Sequence, residues 1–112
     1  MSEARTRRIV YERSEAACEV CGNWAGQSVH HRKNRSQGGL WAPANGLHLC
    51  GDGTTGCHGF ITTHPTTSYQ NGWLVRAEFT PAEVPVLYRG LWVLLDDDGN
   101  ATEVEEPRDD HW

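Results

Sequence analysis

The chain has 112 residues, of which 38% are apolar and 22% charged, with 12 glycines and a formal net charge of -5. This length favours a single domain with one modest core, which a bound metal could usefully brace. No apolar run approaches the roughly 20 residues that span a bilayer, and the N-terminus lacks the apolar segment of a signal peptide, so we expect a cytosolic protein with no membrane partner.

The charge is distributed unevenly along the chain. Residues 1–38 carry seven Arg or Lys and four Glu, a balance of +3, whereas residues 39–112 carry three Arg and eleven acidic residues, a balance of -8. The basic segment could contact a polyanion such as DNA, although two solvated faces would produce the same pattern.

The first predicted element is a short helix over residues 4–17. Arg and Glu alternate there with Ile9 and Val10 in a weakly amphipathic pattern. The arginines of this segment could contact a DNA backbone or face solvent; they are Arg5, Arg7, Arg8 and Arg13.

Four cysteines follow as two pairs. Cys18 and Cys21 form a Cys-x2-Cys turn followed by glycine, which is typical of a zinc knuckle. Cys50 and Cys57 have six residues between them rather than two to four, but this insert is small and flexible enough to loop out. Because cytosolic thiols are kept reduced, the sequence favours one structural Zn²⁺ held by all four cysteines over two disulfides.

The middle of the chain predicts a hairpin followed by a helix. Residues 27–32 and 46–50 are expected to be paired strands, and residues 34–45 between them form a long loop rich in turn-forming residues. Residues 57–64 are compatible with a short helix, and Pro65 would either end this helix or start a new turn.

His48 lies within the second of these strands, between Leu47 and Leu49. Successive side chains of a strand point to opposite faces. If the two leucines face the core, His48 is expected to face solvent.

His30-His31, the isolated Asn45 and His58 resemble the motif of the His-Asn-His (HNH) endonuclease family. The Cys-x2-Cys, His-His-Arg, Gly-Gly, Asn-Gly-Leu-His-Leu-Cys-Gly and Gly-Cys-His-Gly segments occur in the family's order, over residues 18–75. The chain looks most similar to the small HNH endonucleases of actinobacterial phages and their hosts, which also resemble it in Gly-Trp-Leu-Val at 72–75. The resemblance implies an α+β fold, one domain over 1–112, with a ββα-metal core at about 18–64.

The resemblance implies a metal-dependent DNA endonuclease that leaves a 5′-phosphate and a 3′-hydroxyl. His31 would be the general base, since an imidazole titrates near neutral pH. His30 and His58 would hold one catalytic divalent ion, which could be Mg²⁺, Mn²⁺, Ni²⁺ or Zn²⁺. Asn45 would hydrogen-bond across the loop and orient the His31 segment. For His30 and His31 to work near one ion, the strand must twist or bulge there.

Further side chains are expected to bind substrate. Arg32, Lys33 and Arg35 directly follow the histidine pair and are predicted to bind phosphate, while His64 could contact phosphate or complete the metal shell. If the protein is phage-encoded, it would act in the cytoplasm of the bacterial host, and resemblance alone names the large terminase subunit as a partner. The alternatives are a zinc-knuckle module that binds nucleic acid without catalysis, and a redox or disulfide protein, which zinc content would exclude.

The remaining residues predict a small β extension over about 72–104 that caps the core. Residues 72–79 and 86–95 are expected to be strands, and residues 96–100 an ordinary acidic turn rather than a calcium loop. A last short strand is expected at 101–104. Residues 105–112 should fray, and His111 among them has no expected role.

Overall fold

The computed structural model describes residues 2–107, in which two antiparallel sheets alternate with three helices. The elements in chain order are α1 (Glu3–Ser14), β1 (Ser28–His31), β2 (Gly46–Leu49), α2 (Gly56–Thr63), α3 (Pro65–Gln70), β3 (Val86–Tyr88), β4 (Leu91–Leu95) and β5 (Ala101–Glu103). The predicted α+β class is therefore confirmed. Among these residues, no helix has both the length and the apolarity that a membrane crossing requires.

The helix α1 begins at Ser2, whose side chain accepts a hydrogen bond from the Arg5 N–H. It ends earlier than the sequence predicts, because Glu15 and Ala16 adopt positive φ angles of 54° and 64°. The Glu15 N–H bonds back to the carbonyls of the last turn, as in a left-handed helix cap. The following residues can therefore turn back toward the hairpin.

The side chain of Arg13, at the end of α1, is only 3% exposed to solvent. Its guanidinium forms a buried two-pronged ion pair with Glu19, with N–O distances of 2.7 and 2.8 Å. It also donates to the carbonyls of Pro43 and Gly46. Arg13 therefore fastens α1 to the start of β2 and is removed from the candidate DNA-binding arginines.

The strands β1 and β2 form the predicted hairpin, with Ser28 opposite Leu49 and His31 opposite Gly46. Leu47 and Leu49 point into the core. The other face of the hairpin is covered by α1, where Val10 is completely buried.

The expectation that His48 faces solvent is wrong. Its ring is fully buried, with Nδ1 2.9 Å from the Ser14 hydroxyl and the Tyr11 ring 4.3 Å away. The cause is α1, which covers the face of β2 that alternation alone leaves to water. Gly26 makes room for the ring, since a Cβ atom there would lie 2.3 Å from His48 Nε2.

Residues 72–79 do not form the predicted strand. Instead Trp73 and Val75 are buried, and the segment docks beside β1, where the Val75 N–H donates to the Arg32 carbonyl at 2.8 Å. The single strand predicted over 86–95 is instead two strands, β3 and β4, because Arg89 and Gly90 adopt positive φ angles of 50° and 84° and form a turn. With β5 they form a three-stranded meander in the order β3-β4-β5. The turn between β4 and β5 is an acidic turn as predicted, in which Asp96 Oδ1 accepts from the N–H groups of Asp98 and Asn100.

The C-terminal part belongs to the same core as the hairpin and is more than a cap on it. One buried cluster joins residues of β2 and α2 to residues of the C-terminal part, namely Leu47, Leu49, Ile61, Trp73, Val86, Val93 and Leu95. Part of the tail predicted to fray, residues 108–112, lies outside the described residues. His111 is in this part.

Candidate functional site

Four cysteine side chains converge at one end of the hairpin. The sulfur atoms of Cys18, Cys21, Cys50 and Cys57 all lie within 4.8 Å of one another, and none forms a disulfide. The Sγ atoms of Cys21 and Cys50 are 3.8 Å apart. A tetrahedral zinc with bonds of about 2.3 Å places its sulfur ligands about 3.8 Å apart. The cluster therefore fits one structural Zn²⁺, as the sequence predicts.

The long insert between the second pair of cysteines loops out, as predicted. Gly51 and Gly56 have φ angles of 77° and 63°, in a region that side chains disfavour, and the backbone there is too close-packed for a Cβ atom. Asp52 Oδ1 accepts from the N–H groups of Thr54 and Thr55 and closes the loop. Cys57 then lies in the first turn of α2, with its backbone nitrogen 3.5 Å from Cys50 Sγ.

The thiols of the cluster have different affinities for protons. Burial raises the pKa of Cys18, but the backbone N–H groups of Cys21, Cys50 and Val20 outweigh it and lower that pKa to about 7. Burial raises the pKa of Cys50 and of Cys57. A bound cation would favour all four thiolates, and zinc binding would therefore release protons.

Arg89, which the sequence analysis did not single out, ties the C-terminal sheet to the zinc knuckle. It lies in the turn between β3 and β4 and donates to the carbonyls of Ser14, Ala17 and Cys18 at 2.7 to 3.0 Å. No local pattern around an arginine in a hairpin turn identifies such a role, because all three acceptors lie more than 70 positions away in the chain.

His30 of β1 and His58 of α2 face each other, with ring centroids 5.5 Å apart. His30 Nε2 lies 2.9 Å from the Trp73 carbonyl, which can only accept, so Nε2 carries the proton and Nδ1 is the free nitrogen of the neutral ring. His58 Nδ1 lies 2.9 Å from the Ser28 hydroxyl. Burial lowers the pKa of His30 to about 4, so its ring is neutral at neutral pH.

His31 faces away from this pair. The hairpin register is regular through His31 opposite Gly46, so the bulge or twist expected at the histidine pair is absent and the two side chains take opposite faces. The His31 ring meets the Trp41 ring edge-on at 4.3 Å, and its buried Nε2 has no hydrogen-bond partner among residues 2–107. Burial, together with the positive charges of Arg35 and Arg7, lowers the pKa of His31.

Asn45 is buried and makes hydrogen bonds across the loop, as the resemblance to the HNH family implies. Its Oδ1 accepts from the Lys33 N–H at 2.8 Å, and its Nδ2 donates to the carbonyls of Lys33 and Leu40 at 3.0 and 3.1 Å. These bonds hold the loop that follows His31 against the start of β2.

Arg32 does not bind phosphate, contrary to the sequence prediction. It is 1% exposed, and its guanidinium donates to four backbone carbonyls, those of Ala44, Gly72, Pro81 and Val84, at 2.7 to 3.0 Å. The reason is that residues 72–84 pack over the end of β1 and enclose the side chain. Burial lowers the pKa of Arg32 to about 9. Arg32 therefore joins the hairpin to the C-terminal part.

The other expected substrate-binding residues lie nearer the surface. Arg35 is exposed, whereas Lys33 is half-buried and its Nζ donates to the Phe79 carbonyl at 3.1 Å. His64 is exposed and stacks on Phe60. Within residues 2–107 the cysteines form the only group of three or more Cys, His, Asp or Glu close enough to share an ion, so His64 does not complete a shell with His30 and His58.

Comparison of the chain with protein-family models, with curated proteins and with solved structures finds no match.

Proposed function

We propose that the chain is a zinc-braced, metal-dependent DNA endonuclease of the HNH type, built on a ββα-metal core of β1, β2 and α2. The observation that carries this proposal is the facing pair of His30 and His58, whose ring centroids are 5.5 Å apart. Two imidazoles bound to one tetrahedral ion, with metal–nitrogen bonds of about 2.0 Å, have centroids about 5 Å apart. The pair therefore fits as two ligands of one divalent ion.

The partners of the two rings support a role as metal ligands. A ligating histidine normally donates its second N–H to a carbonyl, carboxylate or hydroxyl, which sets the tautomer and the ring orientation. The Trp73 carbonyl does this for His30, and the Ser28 hydroxyl is at hydrogen-bond distance from His58 Nδ1. His30 Nδ1 and His58 Nε2 have no such partner among the described residues and are the nitrogens available to an ion.

In this proposal the chain hydrolyses a phosphodiester bond, and its residues hold the divalent ion and activate the attacking water. The divalent ion, when bound, would supply Lewis-acid stabilisation of the charge that develops on the phosphate and the leaving 3′ oxygen. His31 would accept the proton of the attacking water. This role requires the end of β1 to turn the His31 ring toward the face that carries His30, and Trp41 to uncover its Nε2. Asn45 would act as a positioning residue through the loop that follows His31.

The second candidate function is a zinc module that binds nucleic acid without catalysis. The orientation of His31 favours it, because Nε2 is buried behind Trp41 on the face opposite to His30. Under either function, a phage origin and a partner such as the large terminase subunit remain predictions from the resemblance.

The test is cleavage of supercoiled plasmid by the zinc-loaded wild type and by His31→Ala and His58→Ala, with a panel of added divalent ions. We expect the wild type to cut only with an added ion, and each folded variant to be slower by about 100-fold or more. His111→Ala, which removes a histidine with no expected role, serves as the control and should cut like the wild type. If the folded wild type binds DNA but does not cut it with any of the added ions, the result would contradict the nuclease proposal and favour the binding module.

A further inference from the structure

The insert between Cys50 and Cys57 lies against the first turn of α2, which carries His58. The His58 N–H donates to the Cys50 carbonyl at 3.2 Å, and the residue before His58 is itself one of the four clustered cysteines. Gly59 is packed so closely on the insert that a Cβ atom there would lie 2.6 Å from the carbonyl carbon of Thr54. A shift of the insert would therefore move the backbone that holds the His58 ring.

Ser28 connects the same insert to the His58 ring from the side of β1. Its Oγ lies 2.9 Å from His58 Nδ1 and 3.5 Å from the carbonyl oxygen of Gly51, the first residue of the insert. Ser28 and His30 are two positions apart on β1, so their side chains share the face of the strand that meets His58. The hydroxyl therefore lies between the insert and a ring that is proposed to bind the ion.

The Gly51 carbonyl favours one direction for these two contacts. If the Ser28 hydroxyl donates to the carbonyl, which can only accept, its oxygen accepts from His58 Nδ1–H and both contacts are hydrogen bonds. If the hydroxyl donates to Nδ1 instead, the bond to Gly51 is lost. The first arrangement leaves the lone pair of a neutral His58 ring on Nε2, the nitrogen available to an ion.

We infer that Ser28 is a positioning residue, through which the insert that closes the zinc cluster orients His58 and sets the affinity of the histidine pair for a divalent ion. This inference rests on the proposed nuclease function and makes its ion site depend on the zinc loop. Removal of a group that bonds to the second nitrogen of a metal-binding histidine typically lowers metal affinity by roughly 10- to 100-fold. Ser28 would act through the His58 ring and would contact neither the substrate nor the ion.

The first experiment measures Ni²⁺ binding to the zinc-loaded protein by calorimetry, without DNA. Long-range proton–nitrogen NMR spectra, recorded before Ni²⁺ is added, report which ring nitrogen of each histidine carries the proton. In the wild type we expect His58 to carry its proton on Nδ1, and we expect added Ni²⁺ to broaden the ring signals of His30 and His58.

Ser28→Ala should bind Ni²⁺ about tenfold more weakly, and its His58 ring should no longer hold the proton mainly on Nδ1. Ser28→Thr keeps the hydroxyl and should restore both properties. Ser36→Ala removes an exposed hydroxyl from the loop after β1 and is the matched control, which should behave like the wild type. A purely structural role for Ser28 would change stability without changing the tautomer.

A double-mutant cycle tests the route from the insert. Asp52 Oδ1 closes the insert by accepting from the N–H groups of Thr54 and Thr55. Asp52→Ala should weaken Ni²⁺ binding about threefold in the wild type and have no further effect in Ser28→Ala. Equal losses in the two backgrounds would show that the insert does not act through Ser28.

The inference and the proposed function can fail separately, because no cleavage is measured. If Ni²⁺ binds at the histidine pair but Ser28→Ala changes neither the affinity nor the His58 tautomer, the positioning role is overturned and the ion site stands. If the affinity depends on Ser28 but plasmid is never cut, the positioning role stands and the nuclease proposal fails. Zinc content and thermal unfolding of each variant verify that a loss of binding is not a loss of fold.

Discussion

The buried arginines are the residues whose observed roles differ most from those that the sequence predicts. Arg32 directly follows two histidines and would be expected at a phosphate, yet it is enclosed and bonds only to backbone carbonyls among the described residues. Arg13 and Arg89 likewise bind carbonyls of distant segments. A guanidinium has five N–H donors in one plane, so it can join several loops that lack regular hydrogen-bond partners.

We predict that Arg32→Met lowers the free energy of unfolding by about 3 kcal/mol or more, because four buried carbonyls lose their donors. The nearby Arg35→Met is the matched control, and since Arg35 is exposed its cost should stay within about 0.5 kcal/mol. Urea unfolding of the zinc-loaded proteins measures both values. A larger loss for Arg35→Met than for Arg32→Met would contradict the buried position of Arg32.

At the scale of elements, the zinc cluster connects pieces that are short and weakly stable alone. β1 and β2 have four residues each, and α2 has eight. Helices and hairpins of this length are marginal in water. The cluster takes two ligands from the turn after α1, one from the segment after β2 and one from the start of α2, so a single ion would fasten all of these elements together.

We expect one zinc per wild-type chain, and a tetrahedral thiolate spectrum when Co²⁺ replaces it. Cys57→Ser should bind the metal more weakly and melt at a lower temperature, because α2 then loses its link to β2. Thr62→Ser, an exposed change on the same helix, should behave like the wild type. Elemental analysis measures the zinc content, and thermal unfolding with and without a chelator measures its effect on the melting temperature. A wild type that contains no metal and melts at the same temperature with and without the chelator would rule out the structural zinc.

At the scale of the whole molecule, the hairpin and the C-terminal part depend on each other. Trp73, Val86, Val93 and Leu95 share one buried cluster with Leu47 and other residues of the hairpin and α2. The Trp73 carbonyl also sets the tautomer of His30, so the C-terminal part contributes to the proposed site as well as to stability. A small chain has little apolar surface to spare, and removal of half of its core should abolish folding.

We therefore predict that a chain ending at Asn71 does not unfold cooperatively, even with zinc, although it retains all four cysteines together with His30, His31, Asn45 and His58. A chain ending at Pro107 should unfold like the full length, because every buried residue described here is present. Circular dichroism during urea unfolding compares the two. Cooperative unfolding of the shorter chain would show that the C-terminal part is only a cap.

The local features of this protein follow from short stretches of its sequence. The paired cysteines, the looped-out insert, the hairpin and the cross-loop bonds of Asn45 depend on ligand spacing, turn-forming residues and side-chain chemistry within short stretches. Which faces of these elements are covered depends instead on how the chain packs in three dimensions. The burial of His48 under α1, the enclosure of Arg32, the missing strand at 72–79 and the separation of His31 from His30 all depend on elements distant in the chain. Alternation in a strand separates side chains into two faces, but it does not say which face another element will cover.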